Sequence, residues 1–280
     1  MPNPKTSGGT HELQERYAKN IVALMRPYMN IRNTFSRDYE GDPTAGAVKV
    51  PVRSGDVTVQ DYDVVDGATL TTAATSYLDI LVNKHKAVNE LIDGYEAAAV
   101  PDNLVAQRQE SAAFALGSTY EADAITELLT SGTASTNADC TEANVYKNIC
   151  KDISKIKRLG AKKSEMYVAI SDDTELLLLE NDRYANSASQ IGAELAREGI
   201  VAKINGVYVI VEDLGQKGGK DVEYIVYATP WCQAVDEWGV KPSVNDLADG
   251  VHIGASALQG RQDYANKVTN ANAVIYKVKA

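Results

Sequence analysis

The sequence predicts an α+β protein that carries one long extended arm, and three stretches support this prediction. Residues 45–64 alternate apolar and polar side chains, which is typical of strands. Residues 101–131 are rich in helix-forming residues, and their apolar positions recur near a helical period. Residues 142–228 alternate between helical and strand patterns, which indicates a sheet covered by helices.

The composition is that of a folded, acidic protein. The 280 residues are 44% hydrophobic and 24% charged, with a formal net charge of -10. The basic residues form no long cluster along the sequence, so we expect no tight binding to nucleic acid. The aromatic residues are mainly Tyr, which suits half-buried or interface positions, although exposed sheet faces would give the same composition.

Neither a membrane segment nor a disulfide framework is predicted. No run of eighteen apolar residues occurs, and the first residues lack the layout of a signal peptide, so we expect a cytoplasmic product without a membrane partner. Cys140, Cys150 and Cys232 form no CxxC pair, which predicts three free thiols.

The N-terminal part of the chain predicts two extended appendages. Residues 1–40 begin with a Pro/Gly/Ser-rich lead and continue with the helical stretch ELQERYAKNIVALM. In the next segment Val48, Val50 and Val52 share one strand face, Ser54–Asp56 predicts a turn, and Val57 and Val59 follow. A second long strand is expected to return near 78–82, and Pro51 places the first strand at a sheet edge.

The remaining elements follow in order. We predict one helix over 101–131, ended by Gly132 and a polar stretch, and a further helix over 142–159. A strand over 165–170, a helix over 172–181 and a strand over 222–228 come next. Asn205 and Gly206 predict the turn of a β-hairpin, and the glycine-rich loop at 215–219 is also expected to be a hairpin turn.

No pattern predicts a catalytic, metal or cofactor site, so we expect a protein that is not an enzyme and has no cofactor. HELQE at 11–15 lacks the second His of a zinc protease motif, and GQKGGK at 215–220 lacks the spacing of a phosphate loop. The pair Asp172 and Asp173 fits the start of a helix, where carboxylates are favourable.

The order and texture of five segments resemble a tailed-bacteriophage major capsid protein of the Hong Kong 97 fold. These segments are GDPTAGAVKVPVR with VTVQDYD, AVPDNLVAQRQESAAFALGSTYEADAITELL, GIVAKINGVYVIVEDL, YIVYATPWCQAVDEWGV, and GASALQGRQDYANKVTNANAVIYKV. GRQDYAN at 260–266 is similar to a segment found near the end of this family, with Ala265 at the position usually held by Gly.

The resemblance implies a division of the chain and a function. It implies an N-terminal arm (1–40), an E-loop hairpin (41–85), a peripheral domain (86–134 and 241–280) with a spine helix (101–131), and an axial domain (135–240). The implied function is self-assembly through hexamers and pentamers into the icosahedral head shell of a virion, around double-stranded DNA. Assembly would take place in the host cytoplasm.

The resemblance also implies an assembly interface on the E-loop. The apolar side chains of this loop are expected to bury against the neighbouring subunit rather than their own core, and its two basic residues either pair with acidic groups there or keep an edge strand soluble. The expected interface residues are Val48, Lys49, Val50, Val52, Arg53, Val57 and Val59.

Further partners are expected from the same resemblance. About forty residues before the E-loop leave no room for a scaffolding domain, so a separate scaffolding protein is expected, together with a portal protein and possible decoration proteins. The packaged DNA would be contacted weakly and without sequence preference.

Two alternatives remain open at this point. An encapsulin-type nanocompartment shell shares the implied fold but encloses protein cargo. A more distant alternative is an α/β enzyme, which predicts a compact monomer with a convergent polar pocket.

Overall fold

The computed structural model describes residues 30–39, 46–53, 59–70, 75–94, 104–181, 184–185, 189, 200–248 and 250–279. The helical stretch predicted before Pro27, the turn predicted at 54–56 and Val57 lie outside these residues. The strands are β1 (Ala47–Arg53), β2 (Thr75–Leu81), β3 (Lys84–Ile92), β4 (Thr133–Ala134), β5 (Met166–Ile170), β6 (Ile200–Ile204), β7 (Val207–Val211), β8 (Val222–Ala228), β9 (Cys232–Asp246), β10 (Ser256–Val268) and β11 (Val274–Val278). The helices are α1 (Leu104–Ser131), α2 (Val145–Arg158), α3 (Asp172–Leu179) and α4 (Leu214–Gly218).

The described residues divide into two compact units. The first unit contains 86–94, 104–116, 240–248 and 250–261, and the second contains the remainder. The three strands β3, β10 and β9 pair in that order, β1 pairs with β2, and a six-stranded sheet has the order β4-β11-β8-β5-β7-β6.

The core of the second unit is built on the six-stranded sheet. All seven residues of β8 are buried, because this strand lies inside the sheet and both sheet faces are covered. On one face α2 contributes the helically spaced Val145, Ile149, Ile153 and Ile156. On the other face the C-terminal half of α1 contributes Ala124, Ile125, Leu128 and Leu129. Each of these larger side chains stabilises the fold by roughly 1.5–3 kcal/mol through burial.

The described part of the first unit contains one core cluster. In it the buried Ile92, Ala112 and Leu258 pack together, with Val88 and Val244 against them. Close backbone contact is required at Gly94, where a Cβ atom would lie 2.0 Å from the carbonyl oxygen of Gly254. Any side chain at position 94 would therefore force these two backbone segments apart.

The predicted hairpin turn at Asn205 and Gly206 is present between β6 and β7. Both residues have positive φ angles, 52° and 82°, as a two-residue turn between twisted strands requires. The Lys163 ammonium group donates to the Asn205 carbonyl oxygen at 2.7 Å and to its side-chain oxygen at 2.9 Å. The helices predicted at 101–131, 142–159 and 172–181 are present as α1, α2 and α3.

The prediction of a hairpin turn at 215–219 is wrong. The segment forms the short helix α4, and the strands on either side of it, β7 and β8, are separated in the sheet by β5. The connection is therefore a crossover that passes β5, and its apolar Leu214 is fully buried in the core cluster that also contains the C-terminal half of α1. Cys140, Cys150 and Cys232 are free thiols, as predicted.

No helix in the described part of the chain is long and apolar enough to cross a membrane.

Candidate assembly surfaces

The arm, residues 46–81, belongs to the second unit, and its strands β1 and β2 form an antiparallel two-stranded ribbon. Strand β1 pairs with β2 from Ala47 opposite Leu81 to Arg53 opposite Thr75. Strand β1 therefore pairs with β2, the strand that was predicted to return near 78–82. Val59 does not lie in a strand. Lys49 is exposed and lies opposite the exposed Asp79 in the register, so opposite charges face each other across the pair.

The base of the arm packs on the chain's own core, which corrects one expectation. Val50 is only 4% exposed and Ile80 is fully buried, and both lie in a cluster with Val82, Val235 and Ala265. Val48 is half-buried against the same cluster. Val50 is therefore not available to a neighbouring subunit, because β9 and β10 already cover it. For Val52 and Arg53 only the backbone is described.

The outer part of the arm, residues 59–70, instead exposes almost all of its apolar side chains. Val64 and Val65 are each 89% exposed at the tip of a turn between Asp63 and Gly67. The further large side chains exposed in this part are Val59, Tyr62 and Leu70. A surface of this kind is normally covered by a partner.

The turn at the tip is held in one conformation by its own hydrogen bonds. The backbone N–H groups of Val65 and Asp66 donate to Asp63 Oδ1 at 2.7 and 3.2 Å, and these bonds lower the pKa of the Asp63 carboxyl. The Gly67 N–H donates to the Asp63 carbonyl oxygen at 2.9 Å, and Gly67 has a φ of 72°, which favours glycine. Val64 and Val65 are thus presented in a preformed shape.

A second anchored segment, residues 30–36, lies against α1. The buried Glu121 carboxylate accepts hydrogen bonds from the backbone N–H groups of Asn30, Ile31 and Arg32. These groups belong to the start of a 3-10 helix at Arg32–Thr34 and have no partner within that helix. The buried Glu121 carboxylate therefore fixes the position of residues 30–32 against α1.

The Arg32 side chain completes this anchor. Its guanidinium group pairs with the Asp236 carboxylate and donates through Nε to Asn266 Oδ1 at 3.0 Å. The rings of Tyr120 and Tyr264 lie 4.9 and 5.2 Å from the Arg32 Cζ atom. Burial is the main cause that raises the pKa of both tyrosine hydroxyls, so both rings stay neutral beside the arginine.

A buried polar cluster around Asp152 contains residue types that also occur in active sites. The Asp152 carboxylate accepts from Ser135 Oγ at 2.6 Å and Tyr224 OH at 2.7 Å, and from Asn137 Nδ2 at 3.0 Å. Asp152 is fully buried, and burial is the main cause that raises the pKa of Tyr224. The cluster stabilises the fold by tying the loop after β4 to α2 and β8. Among the described residues no group of three or more His, Cys, Asp and Glu side chains is placed to hold a metal ion.

Comparison with known proteins gives a clear result for the fold. No family profile and no curated protein sequence matches this chain. Among solved structures, that of Mycobacterium phage Che8 matches with a TM-score of 0.73 and 15% identity, covering 96% of this chain and 98% of that one. The mature capsid of bacteriophage PhiM1 matches with a TM-score of 0.70 and 13% identity, covering 96% and 93%. The capsid of an empty GTA particle matches with a TM-score of 0.66 and 11% identity, covering 98% of both chains.

The chain therefore has the fold of phage capsid proteins, over nearly its whole length. The predicted resemblance is confirmed at the level of the fold.

Proposed function

We propose that this chain is the major capsid protein of a tailed phage and assembles into the head shell. The observation that carries the proposal is the outer part of the arm, where five large apolar side chains are between 73% and 93% exposed. The similarity of the fold to solved phage capsid structures supports the same proposal. The arm corresponds to the E-loop in this proposal.

The contact would join two unlike surfaces, the arm of one copy and the body of the next. Such heterologous contacts close into rings when the rotation allows, and rings of five and six subunits close a shell. A stable contact buries on the order of 800 Å² on each partner. The fixed turn at Val64 and Val65 lowers the ordering cost of the contact, because its conformation exists before binding.

Several finer assignments belong to the proposal. The spine helix corresponds to α1, and the axial domain corresponds to the region of the six-stranded sheet. The shell would enclose double-stranded DNA in the virion and would use separate scaffolding and portal proteins. Lys49 would face acidic groups of the neighbouring copy.

The first experiment shortens the arm without touching its base. Because Arg53 lies opposite Thr75, replacing residues 54–74 with Asn-Gly closes β1 and β2 as a tight hairpin and leaves Val50 and Ile80 buried. We expect the full-length chain to form shells or rings above a threshold concentration, and the shortened chain to stay monomeric with unchanged urea stability. Electron microscopy and light scattering across a concentration series measure both outcomes.

A matched pair of point variants locates the contact within the arm. Val65→Asp removes an apolar side chain at the tip and should abolish assembly, whereas Ala68→Asp adds the same charge nearby and should leave most assembly intact. Shells formed by the shortened chain, or a monodisperse monomer from the full-length chain at every concentration, would refute the proposal. Purified shells that contain protein cargo and no DNA would support a nanocompartment instead.

A further inference from the structure

Helix α2 presents a row of basic side chains on its outer face. Lys147, Lys151, Lys155 and Arg158 are all exposed, and their spacing of four, four and three residues places them on one side of the helix. At 1.5 Å per residue the row is roughly 16 Å long. A shallow depression between these side chains is also lined by Cys150 and Ser154.

Within the described residues, α2 itself contributes no exposed acidic side chain to this face. The one acidic residue within α2, Asp152, is 0% exposed and points into the buried polar cluster. Lys155 Nζ lies 2.8 Å from Asp152 Oδ1. Lys147, Lys151 and Arg158 form no hydrogen bond or ion pair within the described residues. The face is therefore strongly positive in a chain whose net charge is -10.

The stability of the helix does not explain this arrangement. Like charges four residues apart, as at Lys147, Lys151 and Lys155, repel and weaken a helix. The helix dipole favours cations in the last turn, which accounts for Lys155 and Arg158, but it disfavours Lys147 in the first turn. Ordinary solvent-exposed helix faces usually mix the two signs. The row is better explained by a polyanion that binds to it.

We infer that this face of α2 contacts the phosphate backbone of the DNA enclosed by the shell, so that α2 lies on the inner side of the shell. The inference rests on the proposed function and deepens it. A protein partner fits less well, because protein interfaces are depleted of Lys and rich in aromatic residues, and the large apolar side chains of α2 are buried inward. Cations clustered along one helix are the electrostatic footprint of a nucleic-acid contact.

The expectation concerned clusters along the sequence, where the basic residues form no long run. The helix brings together cations that are separated in the sequence. About four phosphate contacts per copy give weak, salt-sensitive binding, and a shell with many copies strengthens it by multivalency. The contact can therefore hold packaged DNA in position and still release it.

The test compares two triple variants with the same change of charge. Lys147→Glu, Lys151→Glu and Arg158→Glu alter the row, and Lys220→Glu, Lys241→Glu and Lys279→Glu alter exposed lysines elsewhere. The probe is a fluorescent 30-base-pair duplex, titrated with unassembled protein between 50 and 200 mM NaCl. We expect the unaltered chain to show a slope of log K against log salt of about -3 to -4, from about four contacts. The first variant should bind at least tenfold more weakly with a slope near zero, and the control should stay within twofold to threefold.

A second measurement tests the inner position. Closed shells are treated with an amine-reactive reagent too large to enter, and labelling of Lys147 and Lys151 is compared with that in dissociated protein. We expect protection in shells only. Equal loss of binding in both triple variants, or full labelling of Lys147 and Lys151 on closed shells, would overturn the inference.

Two further results separate the inference from the proposed function. If the first variant binds DNA normally but no longer forms shells, the row contacts another copy and the inference is wrong while the proposed function stands. If the unaltered chain forms no shells, the proposed function and the inner position both fail, whatever the duplex titration shows.

Discussion

At the scale of single residues, Glu121 has the largest predicted effect on stability. Its buried carboxylate satisfies three backbone N–H groups, at Asn30, Ile31 and Arg32. Glu121→Ala leaves these donors without an acceptor, and we expect the free energy of unfolding to fall by about 3 kcal/mol. Urea unfolding measures the loss, and amide hydrogen exchange at Ile31 and Arg32 should become faster.

The control for this prediction lies in the same helix. Glu110→Ala alters an exposed carboxylate of α1 and should change stability by less than about 0.5 kcal/mol. Equal unfolding midpoints for the two variants would show that Glu121 does not anchor the segment. Glu121→Gln keeps one carbonyl acceptor and should give an intermediate loss.

At the scale of elements, the junction after α1 depends on glycine. A Cβ atom on Gly132 would lie 2.4 Å from the Leu128 carbonyl oxygen and 2.8 Å from Val274 Cγ1. Gly132→Ala must displace either the end of α1 or strand β11, so we expect a loss of roughly 1–3 kcal/mol. Thermal unfolding followed by circular dichroism measures this change.

Gly215→Ala is the matched variant for Gly132→Ala. Its added Cβ would meet no atom closer than 3.7 Å, so stability should stay within about 0.5 kcal/mol. If Gly132→Ala unfolds at the same temperature as Gly215→Ala, the close contact at the end of α1 has no energetic importance.

Elements with a local signal were predictable from the sequence, and contacts between distant residues were not. The helices α1, α2 and α3 and the turn at Asn205 and Gly206 are specified by nearby residues, so periodicity and turn chemistry sufficed. The burial of Val50 depends on Val235 and Ala265, which lie 185 and 215 residues further along the chain. No local pattern reveals that contact. The basic row on α2 was visible as a four-residue spacing and was missed because charge was counted along the sequence rather than around the helix.

At the scale of the whole molecule, the unassembled chain should bind hydrophobic dyes. Val59, Tyr62, Val64, Val65 and Leu70 are all exposed in one copy and would be covered by a partner after assembly. We expect anilinonaphthalene sulfonate fluorescence to be high for unassembled protein and to fall several-fold as shells form. The chain with residues 54–74 replaced should show low fluorescence throughout. Equal fluorescence before and after assembly would contradict burial of the arm.

Strands β9 and β10 link the base of the arm to residues 30–36, which matters if the arm is under mechanical load. Val235 and Ala265 pack against the base of the arm. The adjacent Asp236 and Asn266 bind the Arg32 side chain. Neighbouring residues of a strand point to opposite sides of the sheet. The same pair of strands therefore contacts the arm on one side and Arg32 on the other. In the proposed shell, tension applied to the arm by an adjoining copy would pass through these two strands to residues 30–36. Such stress would reach residues 30–36 through two consecutive residues on each strand.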